Sequence, residues 1–322
     1  MNEIKAPPAV VYDLTTVGEA FVELRAEDTT LPEAGSFERR ITGSAALIAI
    51  YYSMLGGKTN CIACVGADGL GTYVQNILRQ YKVNVAGMQF SREHPTSLLF
   101  SARMGRIVQS AYYRLSDWQL HNTKEHVVLA QSSRIIHGSG FLLWKHPARH
   151  SVFEMLRLAK KYDNTTTVLQ PYYEPVYWRN RSDAHSTIKK TMQFADILTP
   201  TTDDAEHLLG KASKEDYLKN YHDMGARTVI LSMGKSGALV SDGVKAVRVP
   251  AVEAEVVDPS GVHDAWHAGL YYALNNRKAL PNAVYFANAV AAYVLGRQGS
   301  LIELPAAGEI TQDLLGKPFE EV

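Results

Sequence analysis

The chain has 322 residues but only two cysteines, no net charge and no long apolar run. Each shortage removes a class of function. Thirty-three basic residues cancel 33 acidic ones, so the charge balance calls for no polyanion, and no nucleic-acid partner is expected. No stretch approaches the roughly 18 consecutive apolar residues of a membrane span, so no membrane partner is expected. The opening MNEIKAPPAVVYD has neither the basic start nor the apolar stretch of a signal peptide, and a cytoplasmic protein is the expectation. Both cysteines fall in CIAC, Cys61 and Cys64, the spacing of a redox pair or half a zinc site. Zinc takes four ligands, and no second CxxC is present. KTNCIACVG reads as a buried strand and not as the helix N-terminus that lowers thiol pKa values. Two small core residues are therefore expected.

What remains is ordinary globular composition, with 46% hydrophobic and 20% charged residues. Strand-like runs at 10–17, 59–65, 134–137, 166–169, 196–198 and 228–231 alternate with helical patterns such as SAALIAIYYSML, GTYVQNILRQY and SVFEMLRLAKKY. Strands separated by helices predict an α/β fold, a mainly parallel sheet with helices on both faces. Two regions break the alternation. AFVEL, SLLFSARM and IVQSAYYR read as strands too polar on one side for a central parallel sheet. They predict a small antiparallel sheet beside the main domain, built from 19–41 and 97–114. The main domain then takes 1–18, 42–96 and 115–322. Open α/β sheets bind ligands beyond the carboxyl ends of their strands, which directs attention to the loops there.

Three loops carry candidate chemistry. In SMGKSGALVSDG, Gly234 and Gly237 flank a polar turn after a strand and would let backbone approach a phosphate. Such turns are also common without any ligand. In DPSGVHDAWHAG, the amides of Gly261 through Asp264 at a helix start form an anion site. A carboxylate there would take a proton from an attacking hydroxyl, or Asp264 would simply cap its helix. TTDDAEHLL places Asp203, Asp204 and Glu206 in a first turn. They either complement the helix dipole or order a water or Mg²⁺ near phosphates.

Taken in order, these pieces resemble the ribokinase-like, pfkB-type carbohydrate kinases nearly end to end. TGSAALIAIYYSMLGGKTNCIACVGADGLG stands for the family's first signature and DPSGVHDAW for its Asp-Thr-Thr-Gly-Ala-Gly-Asp-Ala-Phe. SMGKSG, the SDG hairpin and FANAVAAYVLGRQGS follow as the nucleotide side. VGEAFVEL, AYYRLSDWQL and VLQPYYEPVYW are similar to segments of the 2-keto-3-deoxygluconate kinases and fructokinases. The resemblance implies a ribokinase-like fold with a β lid that also forms a homodimer surface. It implies phosphoryl transfer from ATP, with Mg²⁺, to a hydroxyl of a sugar or sugar-like small molecule. By position, Asp264 matches the catalytic base, and Gly261, Val262 and His263 match the anion hole. Ser232, Gly234 and Gly237 match phosphate and ribose contacts, and Asn288 lies where the adenine pocket closes. Gly18, Gly43, Tyr112 and Arg114 match sugar-side positions. Asp204 matches the acid tied indirectly to Mg²⁺.

The chain departs from the pattern at several of these places. Leu47 and Thr201 replace asparagines, Asp204 replaces a glutamate, and Gln170, Tyr172 and Glu174 replace Asp, Asn and Arg. Glu174 reverses the charge that would hold a sugar acid, which argues against 2-keto-3-deoxygluconate as substrate. His263 replaces a glycine whose bare backbone lets phosphate approach. Its imidazole would either obstruct the phosphate or, if protonated, add a donor. Two readings follow: a working carbohydrate kinase, or a ribokinase-fold protein with impaired catalysis that binds ligands or regulates.

Overall fold

A computed structural model describes residues 10–105, 107–161 and 164–322. Residues 1–9 of the expected main domain, Arg106 of the expected lid and Tyr162 at the end of one expected helix lie outside that description. The chain begins with β1 (Tyr12–Val17), β2 (Phe21–Glu27), β3 (Glu38–Thr42) and α1 (Ser44–Met54). β4 (Thr59–Ile62), β5 (Cys64–Gly66), α2 (Gly69–Gln80), β6 (Gln89–Ser91), β7 (Leu98–Met104) and β8 (Ile107–Tyr113) follow. The alternating middle comprises α3 (Lys124–Gln131), β9 (Ser133–Ser139), α4 (Ala148–Ala159), β10 (Thr166–Gln170), α5 (Arg181–Met192) and β11 (Ile197–Leu198). After α6 (Thr202–Leu209) and α7 (Lys214–Asp223) come β12 (Thr228–Ser232), β13 (Ala238–Ser241) and β14 (Ala246–Val249). α8 (Val262–Asn275), α9 (Leu280–Leu295) and α10 (Ala307–Leu315) complete the chain.

Eight strands form one sheet in the order β14-β13-β12-β11-β10-β9-β1-β4. All pairings from β4 to β12 are parallel, and β13 and β14 add an antiparallel edge. Successive side chains on a strand point to opposite faces, and the buried residues sort accordingly. Leu14, Ile135, Val168 and Ile230 join the core under α1, α8 and α9. Val17, Ile136, Leu169 and Leu231 join the core under α4, α5 and α7. The continuous apolar strands thus reflect burial on both faces. Side chains fix several helix starts by accepting from the third residue on: Asp68 for α2, Thr123 for α3, Asn180 for α5, Thr201 for α6 and Ser213 for α7.

The run at 59–65 is two strands and not one. β4 ends the main sheet, and β5 turns away to pair with β6. Cys61 and Cys64 are both free and buried, and burial pushes each thiol up to about 12.

A second sheet, in the order β3-β2-β7-β8, lies beside the main one. Its outer pairs are antiparallel, while β2 and β7 at its centre run parallel. One face of this second sheet, the expected lid, carries Phe21, Glu23, Arg25, Ser101 and Tyr112 and lines cavities between the two sheets. Two arginines fasten it to the segment before α8. Arg25 donates to Ser260 Oγ at 2.6 Å and to the Asp258 carboxylate at 3.0 Å. Arg103 donates to the Val257 carbonyl at 2.6 Å and lies 3.6 Å from the same carboxylate.

Candidate active site

The parallel strands deliver Gly18 and Glu19, Ser139, Gln170, Thr201 and Ser232 to one end of the sheet. β1 has β4 on one side and β9 on the other, so the connections leave it in opposite directions. Ligands bind at such a point in open α/β sheets. Two cavities occupy it. The smaller, about 190 Å³, lies under the lid and is lined by Glu19, Phe21, Tyr112, Phe141, Gln170 and Asp264, among others. The larger, about 1220 Å³, is lined by Asp203, Ser232, Gly234, Gly237, Asn288 and neighbours.

The first turn of α8 stands between them. Val262 lines the larger cavity, Asp264 the smaller, and His263 both. Gly261, in the left-handed region at φ 71°, turns the chain into the helix. A Cβ there would lie 2.2 Å from the Ser300 carbonyl oxygen, so the turn requires glycine. Unlike α2, α3, α5, α6 and α7, α8 has no side-chain cap. Its dipole and its leading amides, save the Val262 N–H that donates to the Pro259 carbonyl at 3.4 Å, are therefore available to an anion.

Asp264 is poised for proton transfer. Burial pushes its carboxyl up to about 7, the Ser44 side chain opposes the shift and the negative charge of Glu19 adds to it. That places it near neutrality, where a general base works best. His263 is held neutral, because burial lowers its imidazole to about 4. Its Nδ1 lies 3.2 Å from Gln170 Nε2. With that amide donating, the ring proton sits on Nε2, which has no partner in the protein. The backbone carbonyl of His263 accepts from His267 Nδ1 at 2.8 Å, and His267 Nε2 accepts from Thr199 Oγ1 at 3.0 Å. A neutral, hydrogen-bonded ladder therefore backs the first turn.

The structure brings most of the expected site residues to these cavities. Ser232, Gly234, Gly237 and Asn288 line the larger one. Asn288 is also structural: its amide accepts from Trp266 Nε1 at 2.9 Å and donates to the Pro250 carbonyl at 2.6 Å. Gly43 and Tyr112 line the smaller cavity. Gly18 and Arg114 do not. Gly18 is needed for packing, since a Cβ would meet those of Ser139 and Ala45 at 2.8 and 3.0 Å. Arg114 lies over the Phe141 ring at 3.9 Å and donates through Nε to Asp117 at 2.7 Å.

Asp204, matched by position to the Mg²⁺-associated acid, does not line either cavity. It closes the capping box of α6, accepting from Thr201 N at 3.1 Å, Thr201 Oγ1 at 2.6 Å and Tyr173 N at 3.4 Å. Asp203 is the acid of that turn that faces the larger cavity. Glu174 does not line the smaller cavity; burial chiefly raises the phenol pKa values of Tyr112 and Tyr172, and the charge of Glu174 is a minor addition.

Glu19, Ser44 and Phe141 are lining residues that motif reasoning passed over. Glu19 had a signal: it follows the first strand at its carboxyl end. Burial raises its carboxyl pKa, opposed by the Ser139 side chain, nearby amides and the charge of Arg114.

Residues 9–307 match the model of the pfkB family carbohydrate kinases. The chain belongs to that family. Its likeness to an ATP-dependent 6-phosphofructokinase of Thermoanaerobacterium thermosaccharolyticum is 32% identity over 295 residues, covering 91% of each chain. A 2-dehydro-3-deoxygluconokinase of Thermoproteus tenax is 27% identical over 95% of each chain. Among solved structures, Halothermothrix orenii fructokinase matches with a TM-score of 0.76 and 28% identity, over 86% of this chain and 97% of that one. The ribokinase-like fold and the carbohydrate-kinase class follow, with the smaller cavity on the lid side of this kinase and the larger beside its glycine turns.

Proposed function

We propose that this kinase transfers the γ-phosphoryl group of ATP to a sugar hydroxyl at the first turn of α8. The observation that carries the proposal is the placement of Asp264 and Val262 on opposite cavities with His263 between them. Asp264 takes the proton of an acceptor hydroxyl bound in the smaller cavity. The hydroxyl oxygen forms its bond to phosphorus as the bond to the ADP oxygen breaks. Amides of Gly261 and His263 stabilise the charge on the transferring group. Ser232, Gly234 and Gly237 hold the nucleotide, and Asn288 closes its base end.

Mg²⁺ bound to the phosphates would neutralise their charge. It is commonly held by one or two carboxylates, with water and substrate phosphates completing its shell. Asp203, on the cavity wall, suits that role, whereas Asp204 is committed to its cap. Use of ATP and the free thiols of Cys61 and Cys64 fit a cytoplasmic enzyme. The lid edge supports a homodimer: β8 leaves Ile107, Val108 and Tyr113 each more than half exposed. A monomer mass by light scattering at micromolar concentration would overturn the dimer.

The test of the kinase is ADP release on ketoses, aldoses, sugar acids and nucleosides. Turnover is expected on at least one acceptor, rising with pH through about 7 as Asp264 ionises. Asp264→Asn should lower it by about 10²–10⁴-fold. Nucleotide binding without turnover on any acceptor would replace this reading with that of an impaired binding protein.

A further inference from the structure

If the smaller cavity is the acceptor site, as proposed above, its unpaired polar atoms identify what it accepts. Glu19 is 4% exposed. Its Oε1 accepts the Ser44 N–H at 3.0 Å, and its Oε2 has no hydrogen-bond partner among the described residues. Gln170 is 3% exposed. Its Nε2 is engaged with His263, and its Oε1 has no partner either. Both residues line the cavity. They stand at the carboxyl ends of β1 and β10, rigid positions that hold the two free acceptor atoms in place. Buried acceptors of this kind are satisfied by donors, and hydroxyl groups supply them.

The charged carboxylates and cations are divided unequally between the cavity's lining and its surroundings. Glu19 and Asp264 both line the cavity, and among the described residues no lysine or arginine does. Arg114 is set behind Phe141 and bound to Asp117. Arg25 and Arg103 line an adjoining cleft together with Glu23; Glu27 and Asp258 pair with Arg25, while Arg103 Nη1 lies 3.6 Å from Asp258 and has no hydrogen-bond partner among the described residues. The remaining wall is aromatic: Phe21, Tyr112 and Tyr172 meet Phe141 with ring centroids 4.9–6.0 Å apart. These surfaces suit the C–H faces of an uncharged ring or chain.

We propose that the cavity selects an uncharged, hydroxyl-rich acceptor, with Glu19 Oε2 and Gln170 Oε1 receiving its hydroxyl hydrogens, and rejects sugar acids and sugar phosphates. Glu19 and Gln170 are then the specificity-determining residues. An acceptor carrying a carboxylate or phosphate would bring a further negative charge beside Glu19 and Asp264, with no lysine or arginine among the described residues that line the cavity to offset it.

The test is calorimetric binding of fructose, sorbitol, fructose 6-phosphate and 2-keto-3-deoxygluconate, with a non-hydrolysable ATP analogue present. The two uncharged probes should bind at least about tenfold more tightly than the two anions. Glu19→Gln should weaken uncharged binding about tenfold and narrow the preference to about threefold, because it removes both a strong acceptor and a repelling charge. If that variant does not fold, Gln170→Glu serves instead and should widen the preference. An anion bound as tightly as fructose, an unchanged preference in the variant, or no binding by any probe overturns the inference. ADP release keeps the two proposals apart. Fructose bound without ADP release removes the kinase and leaves the selectivity, whereas phosphorylation of an anion in preference to fructose does the reverse.

Discussion

The two cavities divide the chain's departures from its family pattern unequally. Around the larger, Ser232, Gly234 and Gly237 match the family's phosphate and ribose positions and Asn288 lies where its adenine pocket closes, while Thr201 departs and His263 is shared with the smaller. Around the smaller and the adjoining cleft, Leu47, Gln170, Tyr172 and His263 all differ from the family pattern. A common donor asks for one set of contacts, while each acceptor asks for its own. With the roles proposed above, the difference teaches that more of the altered signatures lie at the acceptor than at the nucleotide.

Three substitutions press on this contrast. The largest effect is expected at Gly237, in the left-handed region at φ 84°, where a Cβ would lie 2.1 Å from the Val249 carbonyl oxygen. Gly237→Ala should cost about 1–3 kcal/mol of stability and raise the KM for ATP about tenfold or more. The acceptor KM should stay within about twofold; a matching rise would dissolve the separation of the two sides. His263→Gly acts at the boundary. It leaves the Gln170 amide without its partner and should lower kcat about fivefold, the worth of one hydrogen bond. A sharp increase would show the imidazole to be an obstruction.

The smallest effect concerns stability. The folded carboxyl of Asp264, at about 7, exceeds its ordinary 3.8, so the folded chain binds the proton more tightly than the unfolded one. Its contribution is therefore fully present below about pH 4 and is lost as pH rises through 7. Asp264→Asn, inactive, should melt on the order of a few degrees higher than the parent at pH 8, with little gain at pH 4. Equal melting temperatures at both pH values would mean that the carboxyl is not strained by burial.

Much of the fold was legible because buried parallel strands write themselves as apolar runs and helix starts as capping residues. The lid was legible from its polar alternation. Its central β2–β7 pairing was not, since direction depends on how two distant segments leave the main domain. The break at Ala63 between β4 and β5 carried no Pro or Gly to mark it. Within the site, glycine turns and Asp264 could be found by spacing. Asp204 could be placed by spacing too, but its capping role beside the cavity-facing Asp203 could not, because both acids occupy the same first turn and only the backbone decides which is which. The pairing of Gln170 with His263 spans 93 residues and leaves no local trace.

That pairing also bears on how such a chain changes over generations. Two positions at which the chain differs from its family's signatures lean on each other. Reverting His263 alone strands the amide, and reverting Gln170 alone places a carboxylate against the ring. Neither single step back is neutral. An engineer seeking the family's usual loop would have to restore both residues in one move.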